Sequence, residues 1–160
     1  MSTATNQTND RHLITETIHK FCHCIDTKVP LSKYPGCMEE VFTKDFAFGL
    51  SRDPCKNGDN VQLQPMGLDK FSAFIEQVQI KYEATHHHCT NTIITFNGND
   101  EASAKTYATN YHLKQEKHGG GRFNYYGVYE DELRRTNDGW RIKSRKQYPL
   151  FSEGTIAPNE

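Results

Sequence analysis

The most unusual local feature of the sequence is a run of three histidines, His86, His87 and His88. Histidine titrates nearest to neutral pH, so one that faces an enclosed apolar pocket is a candidate general acid or base, provided that another group fixes its tautomer. The surrounding residues are rich in Thr and Ile, which is typical of a strand. Strand alternation places His87 and Asn91 on one face, and His86 and His88 on the other. His87 is therefore the candidate base.

A histidine base needs a carboxylate partner, and the candidate is Asp26. A helix is predicted over residues 11–26, because apolar residues recur there at the spacing of one helix face: Ile14, Ile18, Phe21 and Ile25. Asp26 stands at the end of this helix, where a helix that covers a sheet would direct it toward the rim of a pocket. An Asp-His pair needs no fixed separation along the chain, since the fold brings the two elements together.

Another interpretation of this helix is a metal site. His19, His23 and Asp26 lie on one helical stripe, and with His87 nearby they are a conceivable mixed histidine and carboxylate site for zinc or iron. The same stripe is equally a solvated helix face. We therefore predict no metal, and no organic cofactor either, since the chain lacks a G-x-G-x-x-G or P-loop pattern.

Charge and composition exclude several classes of protein. Nineteen Lys and Arg residues against 20 Asp and Glu residues give a formal charge of -1, so the chain has no overall attraction to nucleic acid or to an anionic membrane. No stretch approaches the roughly 18 apolar residues that a spanning helix needs. The five cysteines lack paired C-x-x-C spacing, which argues against a disulfide framework and indicates that Cys22, Cys24 and Cys89 serve in packing. These features predict a cytoplasmic protein of one domain.

Helices dominate the first half of the chain. Residues 1–10 are polar and are predicted to be a disordered lead-in to helix one. Four elements are predicted after that helix: a short second helix around Met38, Val41 and Phe42, a strand over residues 46–50, a loop over residues 51–66, and a third helix from Gly67 to about Ile80.

Strands dominate the second half. Turn sequences rich in Gly, Asn and Asp separate four segments with a period of two, which are residues 86–96, 102–114, 123–135 and 140–148. They predict an antiparallel meander, followed by a C-terminal tail over residues 151–160. Helices followed by hairpin-linked strands predict an α+β domain over residues 11–150, in which the N-terminal helices pack on a curved antiparallel sheet that encloses a pocket.

Alternation along the last two strands predicts which side chains face the interior. Tyr129, Asp131 and Leu133 are expected to point inward, as are Trp140 and Ile142. The charged residues between them are expected to point outward, where they form cross-strand ion pairs: Glu130, Glu132, Arg141, Lys143 and Arg145.

Three segments resemble a known family. They are FCHCID at residues 21–26, THHHCTNTIITFNGNDEASAKTY at residues 85–107, and YGVYEDELRRTNDGWRIKSR at residues 126–145. Together they resemble the SnoaL-like branch of the nuclear-transport-factor-two-like superfamily, to which scytalone dehydratase and bile acid 7α-dehydratase are related. The resemblance covers about residues 11–148. It implies a cone-shaped α+β barrel.

The resemblance also implies site residues. In catalytic members of the family, an aspartate near the end of helix one and a histidine on the first long strand form a dyad, and these match Asp26 and His87. The family's helix-one tyrosine, five residues before the aspartate, is Phe21 here. Tyrosines that could replace its hydroxyl are Tyr129, Tyr107, Tyr111 and Tyr34, of which Tyr129 is preferred because its strand position points it inward.

These features together predict a cofactor-independent lyase (dehydratase) or an isomerase or cyclase, with a role in natural product biosynthesis. Its substrate would be a hydrophobic small molecule of polycyclic, terpenoid or polyketide type. Asp26 and His87 would be catalytic, and the substrate would contact a second set: Tyr129, Asp131, Tyr107, Asn91, Phe21, Phe42 and Trp140. The alternative is a non-catalytic small-ligand-binding or dimerisation module of the same fold. Either protein is expected to form a homo-oligomer, a dimer or a trimer, and to bind neither nucleic acid nor membrane.

Overall fold

Two α-helices and six strands make up most of the fold in the computed structural model, which describes residues 3–27, 30–34, 36–55 and 57–156. The helices are α1 (Thr3–Thr27) and α2 (Leu68–Gln79). The strands are β1 (Phe42–Leu50), β2 (Gln64–Pro65), β3 (Tyr82–Phe96), β4 (Glu101–Lys114), β5 (Arg122–Thr136) and β6 (Gly139–Gly154). Within these segments, no helix is both long and apolar enough to cross a membrane.

The six strands form one sheet in the order β2-β1-β6-β5-β4-β3. Strands β3 to β6 are the predicted antiparallel meander, but β1 pairs with β6 in parallel, with Phe48 opposite Arg145. The expectation of a wholly antiparallel sheet is therefore wrong. Between β1 and the meander the chain passes through β2 and α2. The meander then ends with β6, which lies beside β1 and runs in the same direction. Because the edge strands β2 and β3 do not pair in the described part of the chain, the sheet is curled rather than closed into a barrel.

Both ends of the domain extend further than the sequence predicts. Helix α1 begins at Thr3, so the prediction of a disordered lead-in is wrong for residues 3–10. The side chain of Asp10 is buried and accepts hydrogen bonds from Trp140 Nε1 at 3.1 Å and Arg135 Nη2 at 2.6 Å, which ties this end of the helix to the sheet. The predicted tail is wrong for residues 151–154, which continue β6 opposite β5. Residues 1–2 and 157–160 lie outside the described residues.

The predicted short second helix is also wrong. Residues 36–41 form hydrogen-bonded turns, in which the backbone N–H groups of Val41 and Phe42 both donate to the Met38 carbonyl. Strand β1 starts immediately afterwards, because Phe42 pairs with Ile142 of β6. Pairing with the sheet therefore overrides a helical pattern of only a few residues. The third predicted helix corresponds to α2, and the four predicted long strands correspond to β3 to β6.

The core lies between the two helices and the concave face of the sheet. The buried face of α1 packs against β3 and β6, as its period predicts. An aromatic cluster fills the space beside α2, where the ring of Phe42 lies 4.4 Å from that of Phe46 and 5.2 Å from that of Phe71. Burial of a side chain of this size contributes about 1.5–3 kcal/mol relative to an exposed one. This cluster packs α2 against β1.

Two β-bulges reverse the strand alternation. The register of β3 with β4 shifts between Thr90 and Ile93, so that Ile94 is buried while Ile93 is 70% exposed. The register of β5 with β6 shifts after Glu132, so that Ile142 and Arg145 are both buried although an odd number of residues separates them. The expectation that Arg145 points outward is therefore wrong, since an extra residue in one strand turns all later side chains to the opposite face.

Candidate active site

The end of helix α1 places Asp26 directly beside β3. Asp26 Oδ1 accepts a hydrogen bond from His87 Nδ1 at 2.6 Å, and Asp26 Oδ2 accepts one from the His87 backbone N–H at 2.7 Å. The Thr85 hydroxyl donates to Asp26 Oδ1 at 2.8 Å. The side chains of His87 and Asp26 are only 4% and 13% exposed. Two hydrogen bonds therefore join the two candidate catalytic residues, and a third, from Thr85, helps to fix the carboxylate.

This geometry determines which nitrogen of His87 can act as a base. The carboxylate of Asp26 accepts the Nδ1 proton, which leaves the lone pair on Nε2. Burial raises the pKa of Asp26, but the hydrogen bonds and charge of His87 and the hydroxyl of Thr85 outweigh it, so that the pKa lies below its ordinary value. Asp26 therefore remains ionised at neutral pH and stabilises the imidazolium that forms when Nε2 takes up a proton.

His87 lies in the wall of a cavity of about 640 Å³ between the helices and the sheet. Helix α1, helix α2 and β1 supply mostly apolar lining, including Phe21, Ile25, Phe48, Phe74 and Ile75. The sheet supplies polar side chains, including His87, Asn110, His112, Tyr125 and Tyr129. An apolar cavity of this volume with a few polar groups on one wall is typical of a site for a small organic molecule.

The polar wall is organised by strand register. His87, Asn110 and Tyr125 are directly opposite one another on β3, β4 and β5. The Asn110 side chain donates from Nδ2 to the Tyr129 hydroxyl at 2.8 Å. Burial raises the pKa of Tyr129, so its hydroxyl keeps its proton and remains a hydrogen-bond donor.

A second imidazole lies beside His87. The ring of His112 is 5.3 Å from that of His87 and nearly perpendicular to it. Burial lowers the pKa of His112 to about 4, and the nearby charge of His87 adds to this effect. His112 is therefore neutral at pH 7, and its Nδ1–H donates to the Phe123 carbonyl at 3.0 Å.

Of the predicted substrate contacts, Phe21 and Tyr129 line the cavity. Tyr107 and Asn91 do not line it. Tyr107 is exposed on the far side of the sheet. Asn91 is exposed at the bulge of β3, where its φ is positive, at 53°. The other tyrosines considered as hydroxyl donors, Tyr34 and Tyr111, are 41% and 42% exposed and lie outside the cavity lining. Among the four tyrosines considered, the preferred Tyr129 is the one that reaches the cavity.

Three further predicted contacts are buried behind the cavity wall. Phe42 belongs to the aromatic cluster, and Trp140 binds Asp10. Asp131 does point inward, as predicted, but it forms a buried ion pair with Arg145, with Arg145 Nε and Nη2 donating at 2.7 Å and 2.8 Å. These side chains support the site from outside the cavity lining.

The Asp131–Arg145 pair lies directly behind the aromatic wall. The Arg145 guanidinium carbon is 4.5 Å from the ring centre of Phe21 and 4.3 Å from that of Tyr129. Such cation–π contacts stabilise a buried cation whose charge is already balanced by a carboxylate. The pair therefore holds two cavity-lining rings in place.

Sequence reasoning missed three polar residues of the cavity, Asn110, His112 and Tyr125. Strand alternation contains the necessary signal, because Asn110 and His112 are two residues apart on β4. Tyr125 is four residues before the inward-facing Tyr129 on β5, so strand alternation places both side chains on the same face. The same periodic argument that selected Tyr129 therefore extends to all three.

One pair of cysteines differs from expectation, whereas His19 and His23 lie on a solvated face of α1. A disulfide joins Cys24 and Cys37, so the expectation that Cys24 serves only in packing, outside any disulfide framework, is wrong. Cys22 and Cys89 are free thiols whose sulfurs lie 3.4 Å apart. His19 and His23 of α1 are exposed, and in the described part of the chain no three metal-ligating side chains form a cluster.

The fold and cavity define a class of protein: an α+β domain in which helices close a curled sheet around an apolar cavity, with an Asp-His pair in the cavity wall. The family model for the SnoaL-like domain matches residues 6–146. The chain belongs to the SnoaL-like family. A search of curated protein sequences found no match.

Solved structures resemble this chain in fold at low sequence identity. A protein from Kribbella flavida has a TM-score of 0.76 and 23% identity, covering 92% of this chain and 95% of its own. A candidate scytalone dehydratase from Novosphingobium aromaticivorans has a TM-score of 0.75 and 16% identity, covering 96% and 95%. A hexachlorocyclohexane dehydrochlorinase from Novosphingobium barchaimii has a TM-score of 0.69 and 13% identity, covering 94% and 93%. These similarities establish the fold.

Proposed function

We propose that this protein is a cofactor-independent lyase or isomerase that moves a proton on a hydrophobic small molecule. The observation that carries the proposal is the contact between Asp26 and His87 in the wall of an apolar cavity. A buried carboxylate that fixes the imidazole tautomer is the arrangement that general base catalysis requires. Asp26 and His87 also match the positions at which catalytic members of the SnoaL-like family are expected to carry their Asp-His dyad.

The reaction begins when His87 Nε2 removes a proton from a carbon next to a carbonyl group. The electron pair of the broken C–H bond moves into the carbonyl, and the negative charge develops on its oxygen. Tyr129 is the donor assigned to this oxygen, and the hydrogen bond that it accepts from Asn110 polarises its own O–H. Asp26 stabilises the imidazolium ion throughout this step.

Protonated His87 then completes one of two reactions. In dehydration, it gives its proton to a departing hydroxyl group, and water leaves as a carbon–carbon double bond forms. In isomerisation, it returns the proton to a different carbon of the same molecule. Two of the structural neighbours have names of enzymes that eliminate a small molecule, a dehydratase and a dehydrochlorinase, which favours elimination.

The substrate is proposed to be polycyclic, terpenoid or polyketide-like, as in natural product biosynthesis. The aromatic and aliphatic lining supplied by Phe21, Phe48, Phe74 and Ile75 supports a largely hydrophobic molecule. A cavity of about 640 Å³ is large enough for two or three fused rings.

We further propose that the protein is a homo-oligomer, with the outer face of the sheet as the interface. This face exposes large rings: Tyr107 is 50% exposed, and Phe151 is 53% exposed and stacked on Tyr126 at 4.5 Å. Exposed aromatic surface is common where proteins associate. Light scattering tests this, and a mass equal to the 18.4 kDa monomer would contradict it.

The function is tested by proton exchange in heavy water. The wild-type protein is incubated with a panel of cyclic ketones, hydroxyketones and enones, and deuterium uptake and loss of water are followed by mass spectrometry. We expect catalysis by the wild type and a loss of about 100-fold or more in His87→Ala. His86→Ala is the matched control, since His86 is exposed on the other face of the same strand.

The outcomes of this test distinguish a catalytic His87 from an inactive one, and an enzyme from a ligand-binding module. Exchange that is equally fast in His87→Ala would show that His87 is not the base. Ligands that bind to the wild type without exchange or elimination would identify a non-catalytic ligand-binding module instead.

A further inference from the structure

Two buried polar atoms in the cavity wall lack hydrogen-bond partners among the described residues. They are Asn110 Oδ1 and the hydroxyl of Tyr125, and these residues are only 2% and 5% exposed. A buried polar atom without a partner is destabilising, because it has lost its hydrogen bonds to water and has not replaced them. Both residues line the cavity, so a bound molecule can supply the missing partners.

The two atoms have complementary requirements. Asn110 Nδ2 already donates to Tyr129, which leaves Oδ1 as a free acceptor. The backbone N–H of Val128 lies near the Tyr125 oxygen but can only donate, so the hydroxyl hydrogen of Tyr125 still lacks an acceptor. Burial raises the pKa of Tyr125, which keeps its hydroxyl protonated. The pair therefore offers one acceptor and one donor.

The two side chains also start from neighbouring positions. Asn110 and Tyr125 are directly opposite each other on β4 and β5. The Tyr125 ring lies along its own strand over Gly127, where an added Cβ would come within 2.3 Å of the hydroxyl. It thus extends toward Tyr129, the residue that the Asn110 amide also reaches. The absence of a side chain at Gly127 leaves room for this placement of the hydroxyl.

We infer that the substrate carries a hydroxyl group, remote from the carbon that His87 deprotonates, which accepts a hydrogen bond from Tyr125 and donates one to Asn110. One hydroxyl satisfies both atoms, whereas a carbonyl or an ether oxygen can only accept. A carboxylate or phosphate would leave the Asn110 oxygen facing an anion, and both residues of this subsite are neutral. The inference rests on the proposed function for the position of the reacting carbon.

Strand spacing places the subsite one to two strands from His87, since Asn110 is opposite His87 on the adjacent strand. His87 and Tyr125 are in register but two strands apart. Adjacent strands are about 4.8 Å apart, so the backbones at these positions are separated by roughly 10 Å. A fused bicyclic ketone with a ring hydroxyl is a molecule of suitable length.

The test uses 1-tetralone and its 5-, 6- and 7-hydroxy derivatives as probes. Their affinities for the full-length protein are measured by calorimetry. The wild type is expected to bind at least one hydroxy derivative about five- to tenfold more tightly than 1-tetralone. Tyr125→Phe should lose this preference. Tyr126→Phe is the matched control and should retain it, because the Tyr126 hydroxyl is on the opposite face and donates to Glu153.

Three results would overturn the hydroxyl subsite: the wild type prefers no hydroxy derivative, no probe binds at its solubility limit, or Tyr125→Phe keeps the preference. The wild-type comparison needs no variant, so it stands even if Tyr125→Phe does not fold.

Deuterium uptake at the carbon beside the carbonyl is measured on the same four ketones. Exchange without a hydroxyl preference overturns this inference and leaves the proposed function intact. A hydroxyl preference that is lost in Tyr125→Phe, without exchange in any ketone, supports the subsite and contradicts the proposed proton transfer.

Discussion

Asp26 binds His87 at two points, the ring nitrogen Nδ1 at 2.6 Å and the backbone N–H at 2.7 Å. The carboxylate therefore selects the tautomer of the imidazole and also orients the imidazole relative to β3, the strand that carries His87. This contact crosses from the last turn of α1 to β3, and it couples the position of the helix to the position of the candidate base.

Asp26→Asn is expected to lower the rate of proton exchange by about 100- to 10,000-fold, because the amide cannot stabilise an imidazolium as a carboxylate does. Thr85→Val is expected to have a smaller effect, since Thr85 donates one of the three hydrogen bonds to this carboxylate. Deuterium uptake into a ketone that the wild type accepts measures both. Wild-type rates in a folded Asp26→Asn protein would show that the carboxylate is not needed for proton transfer.

The buried ion pair behind the cavity predicts a large stability effect. Asp131→Asn leaves the fully buried Arg145 without its counter-charge, which is expected to lower the free energy of unfolding by about 3–5 kcal/mol. Asp45→Asn removes an exposed partner of Arg134 and should cost at most about 1 kcal/mol. Urea unfolding measures both variants. If the two proteins unfold at similar urea concentrations, the interior pair does not carry the expected energy.

His112 predicts a pH dependence of stability. Its pKa falls from 6.5 to about 4 on folding, so the unfolded chain binds a proton more readily between these values. Stability is therefore fully present above pH 6.5 and falls by up to about 3 kcal/mol as the pH drops to 4. The lowered pKa of Asp26 acts below its ordinary value of 3.8 and does not contribute in this window.

The measurement is the free energy of unfolding at several pH values between 7 and 4. His112→Phe should flatten this dependence, whatever its effect on stability at pH 7. His86→Ala should retain the wild-type slope because His86 is exposed. An unchanged slope in His112→Phe would assign the pH dependence to other groups.

The Cys24–Cys37 disulfide predicts a redox dependence of stability. The two cysteines are 13 residues apart, and closing a loop of this length stabilises a fold by about 3 kcal/mol. Reduction should therefore lower the unfolding midpoint. Alkylation of the unfolded, unreduced chain should label the three free cysteines, Cys22, Cys55 and Cys89. Five labelled cysteines before reduction would contradict the disulfide.

Local patterns predicted the elements that carry the candidate dyad. The helical spacing from Ile14 to Ile25 identified α1 and left Asp26 at its end, and the Thr- and Ile-rich segment around His87 identified β3. Side-chain periodicity is a property of the backbone of one element, so it can be read without knowledge of its neighbours. The same reasoning correctly placed Tyr129 and Asp131 on the inner face of the sheet.

The tertiary structure decided what depends on contacts between distant elements. The bulges of β3 and β6 moved Asn91 to the surface and Arg145 to the interior. Packing also decided which aromatic residues line the cavity. Phe21 does, whereas Phe42 lies in the buried aromatic cluster beside α2. Pairing, bulges and packing result from many long-range interactions of similar size, and no single stretch of sequence contains their balance. The sequence by itself therefore determined which residues could do chemistry, and the folded sheet decided which of them meet in the cavity.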